Sequence, residues 1–173
     1  MDELLGQPTR RRLYDLVRAH PGASARDLQR RAGLAWGETA YHLDQLTRAG
    51  AIRREKGGRR DYYFPPGITW EDRKLLSALR SPAERRILLE LSQHPELTLT
   101  GLGAAAELSP STTSFHVRHL IGAGLVEGLR TENVRRYRVV HPSRVAEIVR
   151  EYRESFEDRL VDRFVLAWSS IFR

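Results

Sequence analysis

The chain has 173 residues, of which 40% are hydrophobic and 29% are charged, and its net charge is +7. It contains no cysteine, which excludes a disulfide framework, a thiolate metal site and a cysteine nucleophile. The sequence shows neither a signal peptide nor a run of about 18 apolar residues that would span a membrane, so we expect a cytoplasmic protein.

The positive charge is concentrated in the first part of the chain. Residues 1–66 carry 13 basic and 8 acidic side chains, residues 67–141 carry 10 and 8, and residues 142–173 carry 6 and 6. Nearly all the basic residues are arginine, whose planar guanidinium group suits phosphates and guanine edges. This distribution is compatible with nucleic-acid binding and equally with a solvated basic surface.

The first 66 residues predict three helices followed by a β-hairpin. Pro8 suits the first turn of a helix, and Ser24 to Asp27 predict a capping box for a second helix. Gly50 ends the third helix in a C-cap role, and two glycines separate the strands of the hairpin. The predicted elements are helices from Pro8 to His20, from Ser24 to Ala32 and from about Trp36 to Ala49, and strands over residues 52–56 and 59–64.

The second half of the chain repeats the first at a constant offset of 74 residues, so that His20-Pro21 corresponds to His94-Pro95 and His42 to His116. This shift indicates one structural unit used twice. In the second unit, Ser81-Pro82-Ala83-Glu84 predicts a helix cap with a capping-box acid. The other predicted elements are a helix capped by Thr98, a helix from Ser109-Pro110 to Gly124, and strands over residues 126–130 and 134–140.

Two further segments lie outside the repeats. Phe64-Pro65-Pro66-Gly67 separates the two units, and Thr69 caps a short connector helix that runs to about Leu79. The chain from Ser143 to about Phe172 predicts one continuous amphipathic helix of about 45 Å. Its apolar stripe consists of Val145, Val149, Tyr152, Phe156, Leu160, Phe164 and Trp168.

The third helix of each unit is followed by a similar Gly-containing turn into the hairpin. In the second unit, residues 109–120 read Ser-Pro-Ser-Thr-Thr-Ser-Phe-His-Val-Arg-His-Leu and lead to Gly124-Leu125-Val126. In the first unit, residues 39–46 read Thr-Ala-Tyr-His-Leu-Asp-Gln-Leu and lead to Gly50-Ala51-Ile52. Both resemble the recognition helix and wing of the ArsR-like winged helix-turn-helix regulators, particularly the archaeal ones.

The resemblance implies a mostly α fold with small β-hairpins (α+β), in which two tandem winged helix-turn-helix domains precede a long C-terminal helix. The first winged helix domain would occupy residues 1–66. The connector helix and the second domain would occupy residues 67–141, and the C-terminal amphipathic helix residues 142–173.

The resemblance also implies that the partner is double-stranded DNA and that the function is transcriptional regulation. A recognition helix enters the major groove, where residues near its N-terminus reach base edges. Tyr41 and Phe115 occupy equivalent positions, where an aromatic ring could contact DNA or pack against the wing. The predicted contact residues of the recognition helices are Thr39, Tyr41 and Gln45 in the first unit, and Ser111, Thr112, Ser114, Phe115 and Arg118 in the second.

Both wings are basic and are predicted to track DNA phosphates or enter the minor groove. The first wing contributes Arg53, Arg54, Lys56, Arg59 and Arg60. The second wing contributes Arg135, Arg136 and Arg138, diluted by two glutamates. The first recognition helix departs from the pattern, because it carries Glu38 and Asp44, which repel phosphate. The first domain is therefore expected to dock through its wing more than through its helix.

The sequence contains no pattern that predicts catalysis. No P-loop, HExxH, GxSxG or paired-carboxylate motif is present, so we expect no catalytic residues and no enzyme activity. His116 and His119 lie three residues apart and could in principle bind a metal. His116 matches His42, however, and belongs to the signature of the resembled family, so we expect no metal and no other cofactor.

Three interpretations of the C-terminal stripe remain open: packing across the domains of its own chain, pairing with a second chain, and lying on a membrane. We favour a homodimer, because terminal helices commonly pair in the resembled family and symmetric dimers match palindromic sites. Two alternatives to a regulator also remain open. One is a tandem winged-helix scaffold of segregation or transcription machinery, against which the basic first wing argues, and the other is a replication initiator.

Overall fold

A computed structural model describes residues 2–57, 60–131, 133–156 and 159–171. The chain divides into two compact units, Met1–Ser77 and Ala78–Arg173. Each unit contains three helices of a helix-turn-helix domain and one three-stranded antiparallel sheet. The mostly α fold with small β-sheets that the sequence predicts is confirmed.

Unit 1 follows the predicted order of three helices and a hairpin. Its elements are α1 (Asp2–Leu5), α2 (Pro8–Ala19), β1 (Ala23–Ser24), α3 (Ala25–Ala32), α4 (Trp36–Arg48), β2 (Arg53–Gly57) and β3 (Arg60–Phe64). The connector helix α5 (Trp70–Arg80) follows, and the boundary between the units falls inside it, after Ser77. The sequence did not predict β1, which exists because Ala23 and Ser24 pair with β3 opposite Tyr63 and Tyr62.

Local capping explains where the helices of unit 1 begin. The Gln7 side chain accepts a hydrogen bond of 2.6 Å from the Arg10 amide, and Pro8 fills the first turn of α2. Ser24 and Asp27 form the predicted capping box of α3. The N-cap of α4 is Ala35, which makes no side-chain hydrogen bond to the first turn. Helix α4 therefore begins without the cap that stabilises α3.

The core of unit 1 is built from the inward faces of α2, α3 and α4 together with the wing. Each fully buried aliphatic or aromatic side chain stabilises the fold by about 1.5–3 kcal/mol relative to an exposed one. The largest buried side chains are Leu13, Leu28, Leu43, Leu46 and Phe64. Within single helices the buried residues follow helical spacing, as Leu13 and Val17 do in α2 and Leu43 and Leu46 in α4, which is why the helices could be predicted.

Unit 2 has the same organisation, followed by three C-terminal helices. Its elements are α6 (Pro82–Gln93), β4 (Leu97–Thr98), α7 (Leu99–Ala105), α8 (Pro110–Gly122), β5 (Val126–Thr131), β6 (Val134–Val139), α9 (Pro142–Glu151), α10 (Arg153–Phe156) and α11 (Arg159–Ile171). The strand order β4-β6-β5 matches the order β1-β3-β2 of unit 1. Helix α8 therefore corresponds to α4, and the hairpin of β5 and β6 is the second wing.

The prediction of one continuous C-terminal helix was wrong. Helix α9 ends at Glu151, and the φ of −109° and ψ of 26° of the next residue, Tyr152, leave the helical region. Helix α11 packs against α9 and α6 of the same unit. As a result Val149, Val161 and Phe164 are fully buried. The chain bends because most of the apolar stripe is buried in the core of unit 2, which a straight helix would leave exposed.

No helix within the described ranges is both long enough and apolar enough to cross a membrane.

Candidate nucleic-acid interface

Helix α8 presents a largely uncharged face to the surface of unit 2. Ser109 caps the helix by accepting a hydrogen bond of 3.3 Å from the Thr112 amide. Ser111, Phe115 and Arg118 are exposed, and the Phe115 ring is 61% accessible. Thr112 and Ser114, the other two predicted contact residues on this helix, are half-buried. All five lie away from the core, at positions from which a helix can contact a groove of DNA.

Helix α4 of unit 1 presents a different face. Tyr41 is 57% accessible and Gln45 is half-buried. Glu38 and Asp44 share this side of the helix, and Asp44 forms an ion pair of 2.7 Å with Arg48. Tyr41 and Phe115 are both exposed and contact the following histidine edge-on, so neither ring is buried against a wing.

The structure does not support the predicted contact between Thr39 and DNA. Thr39 is fully buried, and its hydroxyl donates a hydrogen bond of 2.9 Å to the carbonyl oxygen of Ala35. Its equivalent Thr113 is also buried and donates to the Ser109 carbonyl oxygen at 2.8 Å. The small side chain at this position supports the first turn of each recognition helix from the inside, and it is not available to DNA.

The first wing carries exposed positive charge. Arg54 lies 4.0 Å from the carboxylate of Asp61, a distance at which an exposed ion pair contributes little. Arg59 lies outside the described residues. Three cations of this wing are exposed and have no hydrogen-bond or ion-pair partner in the part of the chain that the structure describes: Arg53, Lys56 and Arg60.

Three cations of the second wing are engaged by neighbouring groups, whereas Arg130 on β5 is exposed. Arg138 forms an ion pair of 2.6 Å with Glu127, which lies opposite it in the hairpin register. Arg136 donates a hydrogen bond of 3.0 Å to the carbonyl oxygen of Glu96. The guanidinium of Arg135 lies over the Tyr137 ring, 5.5 Å from its centroid. The second wing is therefore less available to an anionic ligand than its sequence suggests.

A cleft of about 720 Å³ lies between α3, α4 and the wing of unit 1. The guanidinium of Arg26 stacks over the indole of Trp36, 4.1 Å from the ring centroid. The sequence did not predict these two residues as part of a site, although an arginine in the first turn of the helix before the recognition helix is a usable signal. The cations that line the cleft are Arg26, Arg30, Arg54, Lys56 and Arg60.

Three carboxylates, Asp27, Asp44 and Asp61, reduce the positive charge of this cleft. Burial opposes ionisation of Asp27, but hydrogen bonds from Ser24 and the charge of Arg30 hold the pKa of that carboxyl below its ordinary value. Asp27 is therefore ionised at neutral pH. The cleft is therefore lined by five cations and three carboxylates, and it keeps an excess of positive charge.

The conserved histidine position of the repeat has opposite surroundings in the two units. In unit 2, one oxygen of the buried Glu84 carboxylate lies 3.1 Å from Nδ1 of His116 and 2.7 Å from Nδ1 of His119. Glu84 was predicted to complete a capping box, but its carboxylate instead joins α6 to the recognition helix. Sequence spacing could not reveal this contact, because the three residues are 32 and 35 positions apart.

In unit 1, Arg10 takes the place of Glu84 and lies beside His42. Burial, together with the positive charge of Arg10, lowers the pKa of His42 below its ordinary value, although Glu38 opposes this. Neither Nε of Arg10 nor Nδ1 of His42 has a hydrogen-bond partner among the residues described. His42 is therefore neutral at pH 7. Over the described ranges, no group of three or more histidine, aspartate or glutamate side chains is arranged to hold a metal ion.

Comparison with known families agrees with the duplicated fold. Residues 7–76 match the model of a family described as an N-terminal HTH domain, and residues 79–128 match the model of a helix-turn-helix domain family. An uncharacterized HTH-type transcriptional regulator of Methanocaldococcus jannaschii is 25% identical over 132 residues, which make up 76% of this chain. The aligned region is 33% of that protein, so the chain spans about a third of its length.

Each half of the chain thus matches a helix-turn-helix family, and each unit completes this motif with a recognition helix and a three-stranded wing sheet. The chain is a tandem winged helix-turn-helix protein that resembles the ArsR-like regulators.

Proposed function

We propose that this protein is a DNA-binding transcriptional regulator that recognises a specific duplex sequence through unit 2 and holds phosphates through unit 1. The observation that carries the proposal is the outward face of α8. It presents hydroxyl, aromatic and guanidinium groups without a carboxylate among them, namely Ser111, Thr112, Phe115 and Arg118.

The chemistry of this face suits base recognition in the major groove. A guanidinium can donate two parallel hydrogen bonds to O6 and N7 of guanine, and this is the contact that we propose for the exposed Arg118. The exposed ring of Phe115 can contact a thymine methyl group, and the hydroxyls of Ser111 and Thr112 can bond to bases or phosphates. Unit 2 therefore supplies the groups from which sequence preference would arise.

Unit 1 is suited to the phosphate backbone. Its recognition helix carries Glu38 and Asp44, which oppose close approach to DNA, whereas Lys56 and Arg60 of its wing are exposed cations. Arginine and lysine contacts to phosphates add affinity without reading sequence. The relative from Methanocaldococcus jannaschii supports this function, because it bears the name of an HTH-type transcriptional regulator.

Duplex binding measured at several salt concentrations tests the proposal. Each phosphate contact contributes about −0.9 to the slope of log K against log salt. The double substitution Lys56→Ala and Arg60→Ala should weaken binding to all sequences alike and make the slope shallower by about 1.8. The matched control is Arg150→Ala with Arg163→Ala, which removes the same charge from exposed positions on α9 and α11.

The control pair should leave the slope unchanged, because the proposed interface does not include it. Absence of duplex binding at low salt, or a slope near zero for the unsubstituted protein, would contradict the proposed function. Equal losses in the two double variants would indicate attraction by overall charge and would remove the wing of unit 1 from the interface.

Pairing of two copies stays a prediction. Most of the apolar stripe on which it was based is buried inside unit 2, so a dimer contact would have to use the outer face of α11. Leu166 on that face is 68% accessible. If this face forms the dimer, Leu166→Glu should convert the protein from dimer to monomer in sedimentation velocity, and an unchanged sedimentation coefficient would contradict the prediction.

A further inference from the structure

We infer that His119, positioned by Glu84, binds a phosphate of the DNA backbone through its Nε2 atom in the protonated form, which makes the affinity of unit 2 for DNA dependent on pH. The inference rests on the proposed DNA-binding function. It assigns a ligand to a histidine pair that the recognition-helix contacts described above do not use.

The Glu84 carboxylate fixes which nitrogen of each ring is free. An ionised carboxylate only accepts hydrogen bonds, and the same oxygen lies within reach of Nδ1 of both His116 and His119. Both rings therefore donate from Nδ1. The Nε2 atom of His119 remains available, because no residue in the described ranges forms a hydrogen bond or ion pair with it.

The two rings differ in their access to solvent. The side chain of His116 is largely covered and contacts Phe115 edge-on, whereas the side chain of His119 is 64% accessible. On α8, His119 follows Phe115 by four residues and Thr112 by seven, so it shares a flank of the outward face with them. His119 is therefore the ring that can reach a bound strand, and His116 braces the carboxylate that holds it.

A phosphodiester is the ligand that this arrangement fits. A phosphate oxygen only accepts, so Nε2 must carry a proton to bind it, and the ring is then an imidazolium held between two anions. The C-terminal part of a recognition helix is a place where backbone contacts occur in related DNA-binding folds. Glu84 acts as a positioning residue, because it touches the ring and not the DNA.

Few other charged groups oppose this assignment. The elements packed against α8 are α6, α7 and β5. Helix α7 has no charged residue, and on β5 Glu127 is paired with Arg138. Arg85 of α6 donates to the Leu79 carbonyl oxygen at 2.7 Å. The other charged residues of α6, β5 and α8 are Arg86, Glu90, Arg118 and Arg130. In the described structure none of them forms a hydrogen bond or ion pair with either histidine ring.

The direction of the pH dependence follows from the proton that His119 must carry to bind a phosphate. The DNA-bound state would hold one more proton than the free protein wherever the free ring is neutral, so binding and protonation favour each other. Affinity should therefore fall as the pH of the measurement is raised from about 5 to 8.

The test measures the affinity of the full chain for a mixed-sequence duplex of about 30 base pairs, three helical turns, across this pH range. A charge-assisted hydrogen bond corresponds to roughly a tenfold change in Kd, which is the fall in affinity expected for the unsubstituted protein. His119→Gln should abolish most of it and match the unsubstituted protein at high pH. Glutamine occupies the equivalent position 45 in unit 1, so the fold accepts it.

His94→Gln is the matched control, because it removes an exposed histidine of the same unit at the end of α6 and should keep the full pH dependence. A second measurement is calorimetry in two buffers of different ionisation enthalpy. It should show proton uptake on DNA binding, up to about one proton, that His119→Gln loses. If the contact between Glu84 and His119 only stabilised the fold, His119→Gln would not change the number of protons taken up on DNA binding.

The outcomes separate the inference from the function on which it rests. If the unsubstituted protein binds the duplex and His119→Gln keeps the same pH dependence and proton uptake, the phosphate contact is wrong while the DNA-binding function stands. If the unsubstituted protein binds no duplex at any pH in low salt, both are overturned. Loss of pH dependence in His119→Gln with retention in His94→Gln supports the contact.

Discussion

The two units share one backbone plan but distribute charge over it in opposite ways. In unit 1 the recognition helix carries Glu38 and Asp44, and the wing carries exposed cations such as Lys56 and Arg60. In unit 2 the helix presents hydroxyls, an aromatic ring and Arg118, while a wing cation such as Arg138 is paired with a neighbouring group. This difference is the basis for the proposal that unit 2 contacts DNA through its helix and unit 1 through its wing.

Comparison of equivalent residues in the two units separates the positions that maintain the fold from those that determine its surface. A buried position that keeps its residue is that of Thr39 and Thr113, whose hydroxyls donate to the equivalent carbonyl oxygen at 2.9 Å and 2.8 Å. An outward-facing position that has changed is that of the half-buried Asp44 and the exposed Arg118, which are equivalent in the repeat. Core packing and helix capping fix the fold, whereas the surface is free to acquire a different ligand preference.

The largest difference in DNA affinity between the two units is expected when the equivalent residues Arg118 and Asp44 are substituted. Arg118→Ala should weaken binding to a duplex selected by the unsubstituted protein by about 1–3 kcal/mol, because a bidentate guanine contact is lost. Asp44→Ala should leave affinity unchanged or raise it, because it removes a charge that repels phosphate and releases Arg48 from its ion pair. Fluorescence anisotropy titrations give both values.

The pair of substitutions also tests the assignment of roles. Arg118→Ala should lower discrimination between the selected duplex and a scrambled one, while Asp44→Ala should not. A larger loss of affinity for Asp44→Ala than for Arg118→Ala would mean that unit 1, not unit 2, places its helix in the groove.

A smaller effect is expected at the N-caps of the two recognition helices. Ala35 and Ser109 have nearly the same backbone conformation, with φ and ψ of −65° and 151° and of −64° and 153°. Ala35→Ser should therefore stabilise unit 1, and Ser109→Ala should destabilise unit 2, by about 1 kcal/mol each. The new serine would also lie three residues before Glu38, the spacing of a capping box.

Urea unfolding and amide exchange in the first turns of α4 and α8 measure these changes. Glu38→Gln added to Ala35→Ser is a useful comparison, because glutamine keeps the spacing and hydrogen-bonding capacity of a capping box while removing the charge. If Ala35→Ser gave no added protection in the first turn of α4, the contrast between a capped and an uncapped recognition helix would not explain any difference in their stability.

Much of the fold could be predicted because its signals are local. Pro8, Ser24 and Ser109 begin helices at the residues where the sequence predicts, and apolar spacing marks the buried faces. The strands β1 and β4 could not be predicted, because each has two residues and exists only through pairing with a wing strand. The bend at Tyr152 was missed because the apolar stripe does not reveal whether its partner lies in the same unit.

The candidate site was less predictable than the fold, since its contacts join distant residues. Arg138 was predicted as a DNA contact, and only the hairpin register shows that it lies opposite Glu127. Glu84 could be interpreted as a capping acid from its spacing to Ser81, yet its carboxylate contacts two histidines on another helix. Residue type and local spacing identified the basic and aromatic residues, but they did not show which of these side chains are already paired with a neighbouring group.

The smallest expected effect concerns the buried histidine of unit 1. Because burial and Arg10 lower the pKa of His42, the unfolded chain binds a proton more readily than the folded one. The stability that this neutral ring contributes is fully present above the ordinary histidine pKa of about 6.5, and it is lost as pH falls through the range below that value. Amide exchange protection of α4, corrected for intrinsic rates, should therefore decrease on acidification.

Arg10→Gln separates the two causes of this effect. It removes the positive charge beside His42 but leaves the ring buried, so the loss of protection in α4 should become smaller without disappearing. Helix α8 is the internal reference, because its histidines face the Glu84 carboxylate rather than an arginine. If Arg10→Gln and the unsubstituted protein lost protection in α4 to the same extent, the charge at this repeat position would not govern the acid response of unit 1, and burial alone would account for it.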